Sequence, residues 1–268
     1  MAVMMAELCD DLIATTADLE TRLEGLDERS WHAPTPAEGW DVTDQVSHLA
    51  YFDEAATMAA TDPERFRAER EEVRADVDAF TATIAARYHD WPGDKLLAWS
   101  REARGAMVDA LRALDPSMRV PWYGPDMSAA SSVTARIMET FAHGQDIADA
   151  LVVPWAPARA LPHVAYLGVR AIPNSYRTRG LPVPETEVRV DLVAPDGSQW
   201  AMGPEDSADA VRGPVLDFCR VVTQRRHVDD TDLVVTGPVA TEWMAIAQAF
   251  AGPPGGGRRP GQFGREGR

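Results

Sequence analysis

The first 155 residues of the chain consist of long segments with helical periodicity, separated by short stretches that contain proline or glycine. Apolar residues that recur every three or four positions predict amphipathic helices, and proline-containing loops predict where those helices end. A charged segment, 64–89, is also predicted to be helical, in one piece or two. Four principal helices joined by loops are typical of an antiparallel bundle. The four segments are residues 4–26, 41–60, 94–114 and 128–152.

The pattern changes after the Pro-Trp-Ala-Pro stretch at residues 154–157. A helical segment with a disturbance at Pro173 is followed by an alternating segment, 187–193, which predicts a strand. Asp196-Gly197 is a hairpin turn signal, so a return strand is expected at 198–202. A helix at 214–224, a strand at 232–236 and a helix at 239–250 complete the pattern. The sequence therefore predicts a multi-domain protein, with an all-α bundle at 1–155 and an α+β domain at 156–251. The remaining segment, 252–268, is rich in Gly, Pro and Arg and is expected to be disordered.

Charge and composition narrow the range of partners. The formal net charge is −16 and the pI is about 4.7, so the surface repels nucleic acid and anionic membranes. The chain contains no run of the ~18 apolar residues that a membrane span needs, and its first residues lack the basic start of a signal peptide. Cys9 and Cys219 follow no disulfide or zinc-finger spacing, and both are expected to be free thiols. These features predict a cytoplasmic protein that binds small molecules.

Glu139, His143 and Asp146 are spaced i, i+4 and i+7 within the last helix of the predicted bundle. At about 100° per residue they fall within roughly 60° of one another on one helix face. A carboxylate and an imidazole one turn apart can bind the same divalent ion. His48, in the second helix, would complete a three-ligand site with an open fourth position, which is typical of catalytic metal sites.

Each of these residues also has an ordinary interpretation. A lone histidine such as His48 is often only a hydrogen-bonded polar residue, and a Glu-His pair at i, i+4 often lies on a helix surface. Apolar neighbours favour a position inside the bundle for part of this face, where polar groups need partners and a metal is one such partner. The neighbours are Ile137, Met138, Phe141 and Ile147. The other histidines, His32, His89, His163 and His227, are expected to be structural or solvated.

Two segments, 39–50 (GWDVTDQVSHLA) and 139–147 (ETFAHGQDI), resemble the mycothiol-dependent maleylpyruvate isomerase family of actinobacteria, one of the DinB-like metal-binding four-helix bundles. The resemblance covers residues 5–155, and the C-terminal part resembles the sterol-carrier-like α+β domain of that family. It implies that His48, Glu139 and His143 bind zinc and that Asp146 matters for activity. It also implies a C-terminal arginine, for which Arg225 fits best and Arg226 is the alternative. The glycine that precedes this arginine in the family is Gln224 here.

The activity implied by the resemblance is thiol-dependent. Zinc with one open position would lower the pKa of a bound thiol, such as that of mycothiol, and hold it as the nucleophilic thiolate. Addition of the thiolate to an activated double bond, rotation and expulsion would isomerise cis to trans, and addition alone would be S-transfer. Arg225 would pair with a substrate carboxylate, and Asp146 would orient a ligand histidine or relay a proton.

Three alternatives remain open at this stage. The same metal site would also suit a hydrolase, lyase or cyclase that uses no thiol, because one fold hosts many chemistries. A non-catalytic protein that binds a metal or a small ligand is the second alternative. The third is a purely structural metal, which predicts loss of folding when His48 is replaced.

Overall fold

The computed structural model describes residues 5–73 and 77–263. The chain divides into two compact units, Met1–Arg159 and Ala160–Arg268. The first unit is helical apart from one two-stranded pairing, and the second combines helices with a four-stranded sheet. The predicted multi-domain organisation is therefore confirmed, with the division a few residues later than the predicted boundary at 155.

Four helices of 19 to 23 residues form the first unit, as the periodicity predicts. They are α1 (Met5–Leu23), α3 (Val42–Thr61), α6 (Gly93–Arg112) and α7 (Ala129–Leu151). Helix α3 packs against α6 and α7, and α1 packs against the same two helices. Shorter helices lie between them: α2 (Glu28–Trp31), α4 (Pro63–Val73) and α5 (Val77–Tyr88). Helices α4 and α5 account for most of the charged segment 64–89 that was predicted to be helical, and residues 74–76 between them lie outside the described residues. Helix α2 was not predicted.

Local sequence signals position the two helices that matter for the site. Asp41 caps α3, and its side chain accepts a hydrogen bond from the Asp44 amide while the Asp44 side chain accepts one from the Asp41 amide. This reciprocal capping box satisfies backbone donors that a helix start leaves unpaired. Ser128 caps α7, and its side chain accepts a hydrogen bond from the Ser131 amide. Just before α7, strands β1 (Arg119–Val120) and β2 (Met127–Ser128) pair antiparallel.

A glycine sets the packing at the end of α7. A Cβ on Gly144 would lie 2.4 Å from the Trp155 ring, so only glycine allows this contact. Trp155 is fully buried there, and its indole N–H donates to the Phe141 carbonyl at 2.9 Å. The Pro-Trp-Ala-Pro stretch that ends the bundle in the sequence therefore packs onto the helix that carries Glu139 and His143.

The second unit contains a mixed sheet of four strands in the order β4-β3-β5-β6. The predicted hairpin is confirmed: β3 (Arg189–Val193) and β4 (Gln199–Met202) are antiparallel neighbours across the Asp196-Gly197 turn. Strand β5 (Ala210–Pro214) runs parallel to β3, and β6 (Val234–Thr236) runs antiparallel to β5. The helices are α8 (Leu161–Arg170), α9 (Ile172–Arg177), α10 (Val215–Val222) and α11 (Pro238–Ile246), with a 3-10 turn at Val228–Asp230.

Two details of this unit differ from the sequence-based prediction. Strand β5 was missed, because it is short, ends in Gly213-Pro214 and pairs with strands distant in sequence. The last helix ends at Ile246, four residues before the predicted end. Ala247 is extended, and Gln248 instead hydrogen-bonds Ser175 through its backbone and the carbonyls of residues 250, 252 and 253 through its side chain.

Residues 252–263 of the predicted disordered segment are described by the structure, whereas residues 264–268 lie outside the described residues. The Gly255 amide donates to Gln248, and the Gly261 amide donates to Asp230. Phe263 lies under the Arg226 guanidinium at 4.0 Å. This part of the segment is thus held on the second unit by backbone hydrogen bonds and one cation–π contact.

Both cysteines are free and fully buried, as expected from their spacing. Burial raises the pKa of both thiols, so neither has the lowered pKa of a nucleophilic cysteine. Among the residues that the structure describes, no helix has the length and apolarity required to cross a bilayer.

Candidate metal centre

His48 from α3 and Glu139 and His143 from α7 converge inside the helical unit. One ligand atom from each lies within 4.8 Å of the other two. The Glu139 Oε2 to His143 Nε2 distance is 3.2 Å, and the Glu139 Oε2 to His48 Nε2 distance is 4.0 Å. Ligands of a tetrahedral zinc ion are about 3.3 Å apart, so these three side chains fit such an ion with only small adjustments. The structure thus brings together the three residues proposed as metal ligands.

The imidazole of His143 is oriented by a residue that the sequence analysis did not identify. Nδ1 of His143 lies 2.5 Å from Oε1 of Gln45, and the Gln45 amide nitrogen donates to Thr35 Oγ1 at 3.0 Å. Because the amide nitrogen is held by Thr35, the Gln45 oxygen faces the histidine and accepts a hydrogen bond from Nδ1. Nε2 is then the ring nitrogen that faces Glu139, and once deprotonated it is available to a metal. Gln45 lies one turn before His48 on α3, which is the one sequence signal that marks it.

Glu139 is negatively charged in this setting. Burial by itself would raise the pKa of its carboxyl group. The hydrogen bond to His143 and the nearby charges of His143, Arg136 and His48 outweigh burial and lower the pKa to about 2. A carboxylate and two imidazoles are the mixed oxygen and nitrogen donors that zinc accepts.

A buried charge network lies one turn below Glu139. Asp53 is completely buried and accepts hydrogen bonds from Arg104 at 2.6 Å and from Arg136 at 2.9 Å. Arg104 also contacts Thr16 and Thr140, and Arg136 reaches the Leu49 carbonyl. The network joins all four long helices, because these residues come from α1, α3, α6 and α7. It therefore holds α3 and α7 in the register that brings His48 to Glu139.

Aromatic rings surround the two histidines. The Trp40 ring lies 5.3 Å from that of His48 and stacks on that of His143 at 6.0 Å, and Phe52 lies 4.5 Å from His48. Phe52 in turn contacts Trp122 and Tyr123 of the loop before α7. The two rings of that loop are half-buried against Phe52 and Phe66. The walls of the metal centre are thus apolar on the side of these aromatic rings.

The structure places Asp146 on the buried side of α7, with no exposed surface. It is not one of the three residues whose ligand atoms converge. The contact that orients His143 through Nδ1 is supplied by Gln45 and not by Asp146.

Arg225 and Arg226 belong to the second unit and follow α10. The half-buried Arg225 donates to the Thr223 carbonyl at 2.7 Å, whereas Arg226 is buried and lies over the Phe263 ring. Gln224 before them has φ of 61°, in the left-handed region that favours glycine. The backbone turn that suits a glycine is therefore present although the residue is glutamine, whose side chain donates to the Ala247 carbonyl.

Comparison with known proteins identifies related chains. Residues 12–148 match the family described as Mycothiol maleylpyruvate isomerase N-terminal domain. An uncharacterized protein of Mycobacterium tuberculosis, found in two strains, is 40% identical over 248 residues, which is 92% of this chain and 96% of the relative.

Solved structures of the mycothiol-dependent maleylpyruvate isomerase, including a mutant form, match with a TM-score of 0.56 and 14% identity. They cover 84% of this chain and 90% of the matched chains, a likeness that concerns the fold alone. The matched segment of residues 12–148 contains His48, Glu139 and His143 and is more than half of the 268 residues. The chain therefore belongs to the mycothiol maleylpyruvate isomerase family.

Proposed function

We propose that this protein is a zinc-dependent enzyme that uses mycothiol, or a similar low-molecular-weight thiol, on a small electrophilic substrate that carries a carboxylate. The reaction is cis-trans isomerisation or S-transfer. The observation that carries the proposal is the convergence of His48, Glu139 and His143 from two helices, with His143 oriented by Gln45. Three ligands leave one tetrahedral position for a thiol.

The role of the bound ion is to lower the pKa of the thiol, so that it is present as the thiolate at neutral pH. Glu139 supplies one negative charge, which leaves a divalent ion with net positive charge. Gln45 keeps His143 in the tautomer whose Nε2 can bind the ion. Trp40 and Phe52 cover the histidine rings and keep water from one side of the centre, which strengthens electrostatic interactions there.

The covalent chemistry belongs to the thiol and the substrate. A thiolate that adds to a double bond conjugated with a carbonyl converts it to a single bond, which rotates. Expulsion of the same thiolate restores the double bond in the trans form, so no atom is gained or lost. If a proton is taken up before expulsion, the product is a thioether and the reaction is S-transfer.

Two further residues are assigned roles by this proposal. Arg225 would pair with the substrate carboxylate, because its planar guanidinium suits two parallel hydrogen bonds. It is the better candidate of the two arginines, since Arg226 is buried over Phe263. Asp146 would relay a proton or position α7 groups. Asp146 is not required to orient His143, because Gln45 already contacts Nδ1 of that ring.

The proposal extends to fold relationships and location. We assign the helical unit to the DinB-like metal-binding bundles, because its metal ligands lie on two of four long antiparallel helices. The second unit, with its four-stranded sheet and flanking helices, is assigned to the sterol-carrier-like fold. A cytoplasmic location stays a prediction that agrees with two buried free thiols.

The test begins with metal content. The protein is purified without added metal and analysed by elemental mass spectrometry, then assayed with maleylpyruvate and mycothiol and with mycothiol and a model electrophile. The wild type is expected to carry zinc and to turn over only when the thiol is present. His143→Ala is expected to lose the zinc equivalent held by this centre, and turnover with it, while its circular dichroism spectrum stays native.

A histidine of the second unit provides the matched control. His163→Ala is expected to keep wild-type metal content and turnover, because His163 is not among the converging ligands. Cobalt-substituted protein whose absorption spectrum shifts on addition of mycothiol would support a thiol at the open position. Metal-loaded protein without that shift and without thiol-dependent turnover would overturn the proposal and favour a binding protein or a thiol-independent enzyme.

A further inference from the structure

A second group of histidines and carboxylates lies at the start of α3, outside the centre formed by His48, Glu139 and His143. One ligand atom from each of His32, Asp41 and His89 lies within 4.8 Å of the other two. His32 Nδ1 is 2.9 Å from Asp41 Oδ2, and His89 Nδ1 is 3.7 Å from the same oxygen. Three separate segments, the end of α2, the start of α3 and the residue after α5, therefore meet at one place.

The capping box of α3 holds two carboxylates in fixed orientations. Asp41 Oδ1 and Asp44 Oδ2 accept the hydrogen bonds that cap the helix, at 2.9 and 3.1 Å. Each residue therefore keeps one oxygen for another partner. These are Asp41 Oδ2 and Asp44 Oδ1, and they lie 3.7 and 3.8 Å from His89 Nδ1. Asp44 Oδ1 is therefore a further carboxylate oxygen close to His89, beside the three residues whose ligand atoms converge.

The distances suit a bound ion better than they suit hydrogen bonds alone. His32 and Asp41 form an ordinary hydrogen bond, but His89 stands too far from both carboxylate oxygens to form one. Those separations are close to the value of about 3.3 Å between neighbouring ligands of tetrahedral zinc. The imidazole rings of His32 and His89 are 5.0 Å apart and exposed, so an ion can reach them from solvent.

The charges also favour a cation. Asp41 and Asp44 are both largely buried, and burial raises the pKa of Asp44, so a nearby positive charge would relieve an unfavourable pair of carboxylates. The start of a helix repels cations with about half an elementary charge, which two carboxylates outweigh. Two imidazoles with two carboxylates match zinc, cobalt, nickel or copper, whereas calcium and magnesium prefer all-oxygen sites.

We propose that His32, Asp41, Asp44 and His89 form a second site for a divalent transition-metal ion. The ion would fasten the end of α2 and the residue after α5 to the start of α3. Asp41 directly follows Trp40, whose ring covers His48 and His143, so the second site would also stabilise the segment that carries this ring. This site does not depend on the thiol chemistry proposed for the first.

The test is a titration of metal-free protein with Co²⁺, followed by visible absorption and by metal analysis after dialysis. The wild type is expected to bind two equivalents. The double variant His48→Ala/His143→Ala is expected to retain one equivalent, and His32→Ala/His89→Ala is expected to lose one. His163→Ala is the matched histidine control and is expected to keep both.

This experiment tests the two proposed sites independently of each other. The second site is overturned if His48→Ala/His143→Ala binds no Co²⁺ while its circular dichroism spectrum stays native, or if His32→Ala/His89→Ala still binds two equivalents. Thermal unfolding is a second test of this site, and it needs no variant in which His48 or His143 is replaced. Zinc added beyond the first equivalent should raise the melting temperature of the wild type but not that of His89→Ala, because only a folded site binds the ion. An equal rise in both proteins would also contradict the proposal.

Discussion

Nδ1 of His143 lies 2.5 Å from Oε1 of Gln45, so a residue of α3 sets the orientation of a proposed metal ligand on α7. The same helix supplies His48, one turn further along. Helix α3 therefore contributes two residues to the candidate centre: His48, a proposed ligand, and Gln45, which orients the proposed ligand His143 on α7.

Gln45→Leu should weaken zinc binding by about 10- to 100-fold, because loss of the acceptor lets the His143 ring rotate and change tautomer. Competition with a zinc chelator of known affinity measures the change. Gln45→Glu keeps an acceptor at the same place and should bind zinc far more tightly than Gln45→Leu. Equal affinity of wild type and Gln45→Leu would show that the hydrogen bond to Gln45 does not hold the ligand.

Glu139 should give the metal-free protein a stability that depends on pH. Its pKa is lowered from 4.5 to about 2, so the ionised form is the one that the fold favours. The stabilisation is fully present above the unfolded value of 4.5 and is lost as pH falls toward 2. The difference in unfolding free energy between wild type and Glu139→Gln, measured by urea denaturation, should therefore shrink as pH falls from 5 to 3. A difference that stays constant over this range would show that the fold does not favour the ionised carboxylate.

Asp53→Asn should destabilise the helical unit by about 3–5 kcal/mol, because it leaves Arg104 and Arg136 buried beside a neutral partner. Urea denaturation followed by circular dichroism measures the loss. The matched control is Arg65→Gln, which removes an exposed ion pair with Glu69 and should cost about 1 kcal/mol or less. Similar losses in the two variants would mean that the buried network adds little to stability.

Gly144→Ala should cost about 1–3 kcal/mol, since its Cβ would overlap the Trp155 ring next to the proposed metal ligand His143. Gly105→Ala is the control within helix α6, where a Cβ meets nothing within 4 Å. That variant should gain about 0.5–1 kcal/mol from the higher helix propensity of alanine. Tryptophan fluorescence during thermal unfolding distinguishes the two, and a stabilised Gly144→Ala would contradict the close packing of Trp155.

Much of the fold follows from local patterns. The four long helices and the β3–β4 hairpin lie where periodicity, proline and Asp-Gly place them. Strand β5 does not, because its place in the sheet depends on parallel pairing with β3 and antiparallel pairing with β6. A five-residue strand that ends in Gly-Pro is too short to show an alternating pattern, and pairing with distant segments adds no local sequence signal.

The sequence by itself determined that Glu139 and His143 lie one turn apart on the same face of a helix, because they are four residues apart. His48 was proposed as their partner from the sequence and from the family resemblance, but its distance from them depends on how α3 packs on α7. Only the tertiary structure decided that Gln45 orients His143, that Asp53 joins two arginines, and that His32 and His89 meet at Asp41. These contacts join separate helices and depend on how the helices pack. The periodicity of one segment predicts its own secondary structure but not which residues of another segment it will contact.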